Sequence, residues 1–443
     1  MSEQDARPAG AAELAARIRA GELTSEAAVT ACLERIGAAN PRLHAVVRLA
    51  PEALEEARAA DRQRRAGSVL GPLHGVPFTV KDWIETRGLV CDAGDAALRD
   101  HVPAQDATAV RRLRAAGAIL LGKTRVGVDG DLHPVPRNPW DPARTPGASS
   151  SGEAAIIAVG ASPLGLGSDS GGSLRWPAHC CGIQTLKPTS GRVPLTGHLP
   201  RIVALTDPRT VIGPMARSVD DLALALALIS GSDGRDASVV PMPVPRPLPD
   251  ARPAPDLRGL RVARFDAFAG AEADSPTRRV VADAAAALQA AGATVEAACP
   301  PRIADAMRIT QAYWRRPEST SLDHWQPWGE SRLSADEVER SLFEWDRLRR
   351  AFTEFMAHHD LILCPVAAGA APPAGAARAE DYAFTLPFSL TGQPVVVIRA
   401  GTDGAGLPIG VQLAAGSFRE RHALAAARVL ELALGPWPLP AMP

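Results

Sequence analysis

At 443 residues the chain can bury a large core, in one large domain or two or three small ones. Its 48 Lys and Arg balance 49 Asp and Glu, for a net charge of -1 with the signs interspersed, which argues against nucleic acid or an anionic membrane as a partner. The amino terminus lacks an apolar signal-type stretch, and no apolar run approaches the ~20 residues of a membrane span, so a soluble cytoplasmic protein is expected.

In chain order, residues 11–20 and 25–38 read as two helices broken at Gly21, with Thr24 or Ser25 as cap of the second. Val29, Cys32, Leu33 and Ile36 form its apolar stripe. A third helix is expected from Ala50 to Ala66, so residues 1–66 form a helical segment packed on the main body. A short strand runs from about Val76 into Lys81. Asp106 is placed to cap a helix ending at Gly117, and Ala118 to Leu121 reads as a strand. A helix over Ser151–Val159 and a strand near Leu164–Leu166 repeat the alternation, which predicts an α/β sandwich with a largely parallel sheet.

The stretch Leu222–Ile229 alternates Leu and Ala like a strand. Ser218 with Asp221 at one end and Gly231 at the other mark it as a helix instead. Residues 241–255 are proline-rich and read as a stiff, extended connector. A strand at Arg261–Phe265, a helix capped by Ser275-Pro276 and ended by Gly292, and a strand at Thr294–Ala297 follow. Met307–His359, within a helical region of about 300–360, holds Trp314, Trp325, Trp328 and Trp345. These rings either fill gaps between helices or touch substrate, and gap-filling is the simpler reading.

The six cysteines (Cys32, Cys91, Cys180, Cys181, Cys299, Cys364) show no spacing framework and read as buried thiols of a reducing compartment. His179 beside Cys180 and Cys181 does not make a metal site, because three consecutive residues do not readily converge on one ion. No metal and no cofactor are expected.

The stretch with the most chemistry runs from Thr145 to Arg192. Gly, Ala and Ser dominate it, so the backbone can approach a ligand closely. From Ser168 it reads Ser-Asp-Ser-Gly-Gly-Ser, a turn whose amides can hold a developing oxyanion while the hydroxyl of Ser173 attacks a carbonyl. A serine nucleophile needs a base. The nearby His179 shows no sign of a triad. Lys81 follows the apolar run Val76–Val80, and burial there lowers a lysine pKa from its ordinary ~10.4.

Five motifs carry a family resemblance: GPLHGVPFTVKD (Gly71–Asp82), DATAVRRLRAAGAILLGKT (Asp106–Thr124), RNPWDPARTPGASSSGEAA (Arg137–Ala155), GSDSGGSLRWPA (Gly167–Ala178) and LKPTSGRVP (Leu186–Pro194). LTGQPVVVIRAGTDGAGLPIGVQL (Leu390–Leu413) is a weaker sixth. In this order they resemble the amidase signature family of serine hydrolases. The resemblance implies one domain over 1–443, α/β in class, with a mixed, mostly parallel central sheet covered by helices on both faces. It implies a Ser–cis-Ser–Lys triad: Ser173 as nucleophile, Lys81 as base, and Ser149 as bridging serine after a cis peptide bond. The amides of Ser170, Gly171, Gly172 and Ser173 match the oxyanion hole.

Lys123 in GKT is the competing base, but the family uses that position structurally. Asp169 and Arg175 read as a pair that holds the loop. Ser150 and Ser151 read as hydrogen-bonding neighbours. Ala148 and Ser151 stand where glycines are common, Arg125 and Trp83 where Asn is common, and Phe388-Ser389 where an Asn often precedes Leu-Thr-Gly. Ser150, Trp83 and Arg125 are therefore the candidate substrate contacts, and Arg125 would suit a carboxylate or several carbonyls, or else a structural salt bridge.

The implied activity is hydrolysis of a small-molecule carboxamide C–N bond through an acyl-enzyme, releasing ammonia or an amine. Two alternatives remain: an ammonia-releasing subunit of a glutamine-dependent amidotransferase, and a biosynthetic amide or ester hydrolase or acyltransferase of the same fold. Homodimers are common in the family.

Overall fold

The computed structural model describes residues 8–127, 132–201, 207–243, 255–315 and 333–441, with the backbone alone of 318–319 and 327–328. Eleven strands form one sheet: β1 (Val46–Leu49), β2 (Pro77–Lys81), β3 (Ile119–Thr124), β4 (Leu164–Asp169), β5 (Gln184–Lys187), β6 (Val211–Ala216), β7 (Arg261–Arg264), β8 (Thr294–Ala297), β9 (Leu361–Pro365), β10 (Val395–Thr402) and β11 (Pro408–Ala415). Their order is β1-β3-β2-β4-β6-β5-β10-β11-β9-β7-β8.

The α/β class and the mixed sheet are as expected. Parallel pairing joins β3, β2 and β4 on one side and β9, β7 and β8 on the other. Antiparallel strands bridge these blocks, since β10 and β11 follow one another too closely in sequence for a crossover helix. Every residue of β2, β3 and β4 is buried, which fits strands covered on both faces.

The helices are α1 (Ala11–Ala20), α2 (Ser25–Leu43), α3 (Ala53–Arg65), α4 (Thr108–Ala115), α5 (Ser151–Ala158), α6 (Arg175–Cys181), α7 (Val219–Ile229), α8 (Ser275–Ala290), α9 (Asp305–Tyr313), α10 (Ala335–His358), α11 (Leu386–Thr391) and α12 (Glu420–Leu434). One face of the sheet buries its apolar side chains under α1, α4, α7, α8 and α12. The other is covered by α2, α3, α5 and α6 over one half and by α9, α10 and α11 over the other.

Local signals placed most of these elements. Thr24 caps α2 by accepting from the Ala27 amide at 3.1 Å, and Ser218 caps α7 by accepting from the Asp221 amide at 3.2 Å. α2 runs past its expected end at residue 38 to Leu43, because Gly37 lies in open space and Pro41 falls only in the last turn. Asp106 does not cap α4: its carboxylate takes the Arg87 amide instead, at 2.7 Å. Asp274, one residue before the expected Ser275, caps α8.

Of the tryptophans in region 300–360, Trp345 fills a gap. Its Nε1 donates to the Leu390 carbonyl at 2.6 Å and its ring meets Tyr313 edge-on at 5.8 Å. Trp314 is exposed, and the side chains of Trp325 and Trp328 lie outside the described residues, as does most of the proline-rich connector. Among the described residues no helix is long and apolar enough to cross a membrane.

Candidate active site

Lys81 closes β2, and β4 runs parallel beside it with Val80 opposite Leu166. The register brings the end of β2 to the end of β4, where the Ser168–Ser173 loop begins. The Ser149–Ser151 turn enters α5 against both strands. Three sequence-distant segments thereby meet at one end of the sheet.

Lys81 is completely buried. Its Nζ donates to Ser149 Oγ at 2.6 Å and to Ser168 Oγ at 2.9 Å. The Trp83 ring lies 4.2 Å from the same nitrogen. Burial pushes the Lys81 pKa well below its usual 10.5, and the carboxylates of Asp169 and Glu153 only partly oppose that shift. A neutral amine resting on hydroxyls is what a lysine general base requires.

The sequence contains three lysines, Lys81, Lys123 and Lys187, and all three are fully buried. Lys187 is also pushed down by burial, to about 7, but its amine donates to the carbonyls of Pro188 and Gln393. Lys123 donates to the Ile84 carbonyl and sits 3.6 Å from Asp82. Only Lys81 rests on hydroxyls, so partner chemistry rather than burial singles it out.

Ser173 is half-buried, and its Oγ accepts from the Ser149 amide at 3.4 Å. Ser149 is buried beside Lys81, but the Ala148–Ser149 bond is not cis; among the described residues the cis bond is Leu199–Pro200. Ser149 therefore reaches Lys81 from a trans backbone. Its hydroxyl meets Lys81 and its amide meets Ser173 Oγ.

The expected oxyanion amides divide. Gly172 N–H donates to Asp169 Oδ1 at 2.8 Å, so this amide is engaged in holding the loop. The amides of Ser170, Gly171 and Ser173 have no acceptor among the described residues. Gly172 has φ 142°, and a Cβ there would come within 2.6 Å of Thr385 Oγ1, so the turn requires glycine.

Asp169 and Arg175 do pair. Both are fully buried, and the guanidinium binds the carboxylate through two contacts of 2.9 Å. Burial alone would raise the Asp169 pKa, but Arg175, Lys187 and the Leu174 amide together hold the carboxyl below its usual value. Arg175 also donates to the Thr385 carbonyl and to Ser389 Oγ, each at 2.7 Å, tying the loop to α11.

Two of the residues expected as substrate contacts are enclosed. Ser150 is fully buried and exchanges hydrogen bonds with the main chain of Ser168, at 3.1 and 3.3 Å. It fixes the end of β4 and has no face open to a ligand. Arg125 is equally enclosed, its guanidinium held by the carbonyls of Val126 and His133. These bonds tie the end of β3 to the loop at His133. Trp83, in contrast, borders the Lys81 amine.

Ser168 and Glu153 were not anticipated from sequence. Ser168 reads as part of a glycine turn until β4 is aligned beside β2. Glu153 accepts from Thr79 of β2 and from Thr124 of β3, the latter at 2.7 Å, and burial pushes its pKa up to about 7. His179 is no ligand: Nε2 meets the Gly369 carbonyl at 3.0 Å, Nδ1 accepts the Gly410 amide at 2.9 Å, and burial pushes its pKa down to about 4.

Known proteins carry the same architecture. A family model described as Amidase matches residues 27–324 and 314–424. The chain is 34% identical over 454 residues to a glutamyl-tRNA(Gln) amidotransferase subunit of Chloroflexus aggregans, covering 91% of this chain and 92% of that protein. It is also 34% identical over 461 residues to indoleacetamide hydrolase of Bradyrhizobium diazoefficiens, covering 95% and 86%. It superposes on 6-aminohexanoate cyclic dimer hydrolase, solved with substrate, at a TM-score of 0.86 and 26% identity, over 98% of this chain and 99% of that one. With a family model spanning nearly its whole length and relatives this similar over nine-tenths of it, the chain belongs to the amidase signature family of hydrolases.

Proposed function

We propose that this chain hydrolyses the C–N bond of a small carboxamide, with Ser173 as nucleophile, Ser149 as proton carrier and Lys81 as base. The observation that carries the reading is a fully buried lysine, favoured in its neutral form, 2.6 Å from a serine hydroxyl next to the Gly-Gly-Ser turn. Neutral Lys81 takes a proton from Ser149, and Ser149 takes one from Ser173. The Ser173 Oγ–carbon bond forms while the oxyanion rests on the amides of Ser170, Gly171 and Ser173. The proton returns through Ser149 to the leaving nitrogen, the C–N bond breaks, and water releases the acid from the acyl-enzyme. Trp83 forms the wall nearest the base.

The test is the intact mass of the protein after exposure to a fluorophosphonate. One adduct is expected on the wild type and none on Ser173→Ala. Adduct formation should slow by about 100-fold or more in Lys81→Ala. A folded wild type that takes no adduct, or a Ser173→Ala variant that still takes one, refutes the assignment.

A second reading draws on the relatives themselves: the Chloroflexus aggregans protein is part of an amidotransferase. On that reading the same residues release ammonia for a partner. Hydrolysis of simple carboxamides by the purified chain alone supports the first reading, and activity that appears only with a partner protein supports the second.

A further inference from the structure

Behind the sheet, away from Lys81, lies a second cavity of about 570 Å³. Gln184 on its wall opens β5 and faces Ala216 of β6, as does Leu164 at the start of β4; the catalytic loop leaves β4 at the other end, at Asp169. Ala158, also on the wall, closes α5, whose first turn follows Ser149. The two sites are thus separated by the length of α5, about 12 Å.

Arg399 of β10 lines this cavity and is only 3% exposed. Its guanidinium lies over two indole rings, Trp140 at 4.4 Å and Trp437 at 4.5 Å. Both indoles are locked by their own N–H groups: Trp437 Nε1 donates to the Arg399 carbonyl at 3.1 Å, and Trp140 Nε1 to the Cys181 carbonyl at 2.8 Å. Yet Nε and Nη1 of Arg399 are enclosed and have no acceptor among the described residues. The nearby carboxylates are committed elsewhere. Glu431 takes Gln184 Nε2 at 2.8 Å and the Val219 amide at 3.1 Å, and Asp220 pairs with Arg428. Burial pushes the Arg399 pKa down to about 10 with no carboxylate opposing it.

A buried cation without an anion is costly, and native structures rarely leave one unmatched. We propose that this cavity binds a small carboxylate carried on an apolar body, with Arg399 as its anchor. With two indoles against the guanidinium, an anion reaches it only from the cavity side. A carboxylate matches the guanidinium fork, and it can carry an apolar body that inorganic oxyanions lack. Ile183, Leu432 and Leu439 on the same wall, with the outer edges of the indoles, receive the apolar body.

Benzoate is a suitable probe, read by fluorine NMR on the full chain labelled with fluorotryptophan, at constant ionic strength. Trp83→Phe, Trp140→Phe and Trp437→Phe assign the three resonances that matter. Benzoate is expected to move the Trp140 and Trp437 signals saturably, with a Kd of about 1 mM or tighter, and to leave Trp83 unmoved. Arg399→Gln should weaken binding at least about tenfold. If that variant does not fold, the wild-type spectra decide alone. The proposal is overturned if no saturable shift occurs, if the shift centres on Trp83 at the catalytic site, or if benzyl alcohol or sulfate acts as strongly as benzoate.

Discussion

Ser168 shows how one hydroxyl can matter without being a nucleophile. It is the second acceptor for Lys81, at 2.9 Å, and no charged group takes its place. An ammonium gains more from that acceptor than a neutral amine does. Ser168→Ala is therefore expected to lower kcat/KM about tenfold, roughly the ~1.4 kcal/mol of one positioning hydrogen bond, and to move the acidic limb of its pH profile further down. In the wild type that limb should rise with pH and level off well below 10.5, because the proposed mechanism requires neutral Lys81. An unchanged kcat/KM in Ser168→Ala, with folding intact, removes Ser168 from the mechanism. The roles proposed for Ser173 and Lys81 were legible because each sits in a short motif with its own chemistry. Ser168 was not, since its role depends on strand register. Arg125 misled for a related reason: sequence gives a charge but not which carbonyls enclose it.

At the scale of elements, the Ser168–Ser173 loop is fastened by one buried ion pair. Asp169 binds the amides of Gly172 and Leu174 while Arg175 grips it from the side and reaches into α11. Replacing Asp169 with Asn leaves a fully buried guanidinium without its counter-charge. The expected loss is about 3–5 kcal/mol, seen as an early unfolding midpoint in thermal or urea denaturation. A loss within about 0.5 kcal/mol would mean that the loop is held by something else. Helix ends with a hydroxyl or carboxylate in place, such as those of α2, α7 and α8, were readable to within a residue or two. The sheet order was not. The two halves of the sheet are joined by one pairing across about two hundred residues, β5 with β10, which no local pattern encodes.

For the whole molecule, buried titratable groups tie stability to pH. Glu153 carries a pKa of about 7 when folded against 4.5 ordinarily, so between those values the folded chain holds a proton that the unfolded chain has lost. That contribution is full below pH 4.5 and disappears as pH rises through about 7. Lys81 also makes folding less favourable when it must take up charge, but its direction is opposite: the unfolded chain binds the extra proton, so its contribution improves as pH rises toward 10.5. Glu153→Gln keeps a group able to meet Thr79 and Thr124 while abolishing the titration. Relative to that variant, the wild type is expected to lose stability from pH 4.5 to 7, by no more than about 3 kcal/mol, in parallel urea titrations. A flat difference across that range would show that Glu153 titrates normally.

The three lysines have a consequence outside catalysis. Every ε-amine in the sequence is inside the fold, and the positive charge on the surface is arginine. The folded protein thus offers no ε-amine to succinimidyl esters, aldehyde crosslinkers or activated resins, and no lysine side chain to an enzyme that acetylates or ubiquitinates from solvent. Lysine modification of this chain reports unfolding, and the number of lysines modified counts how far the interior has opened.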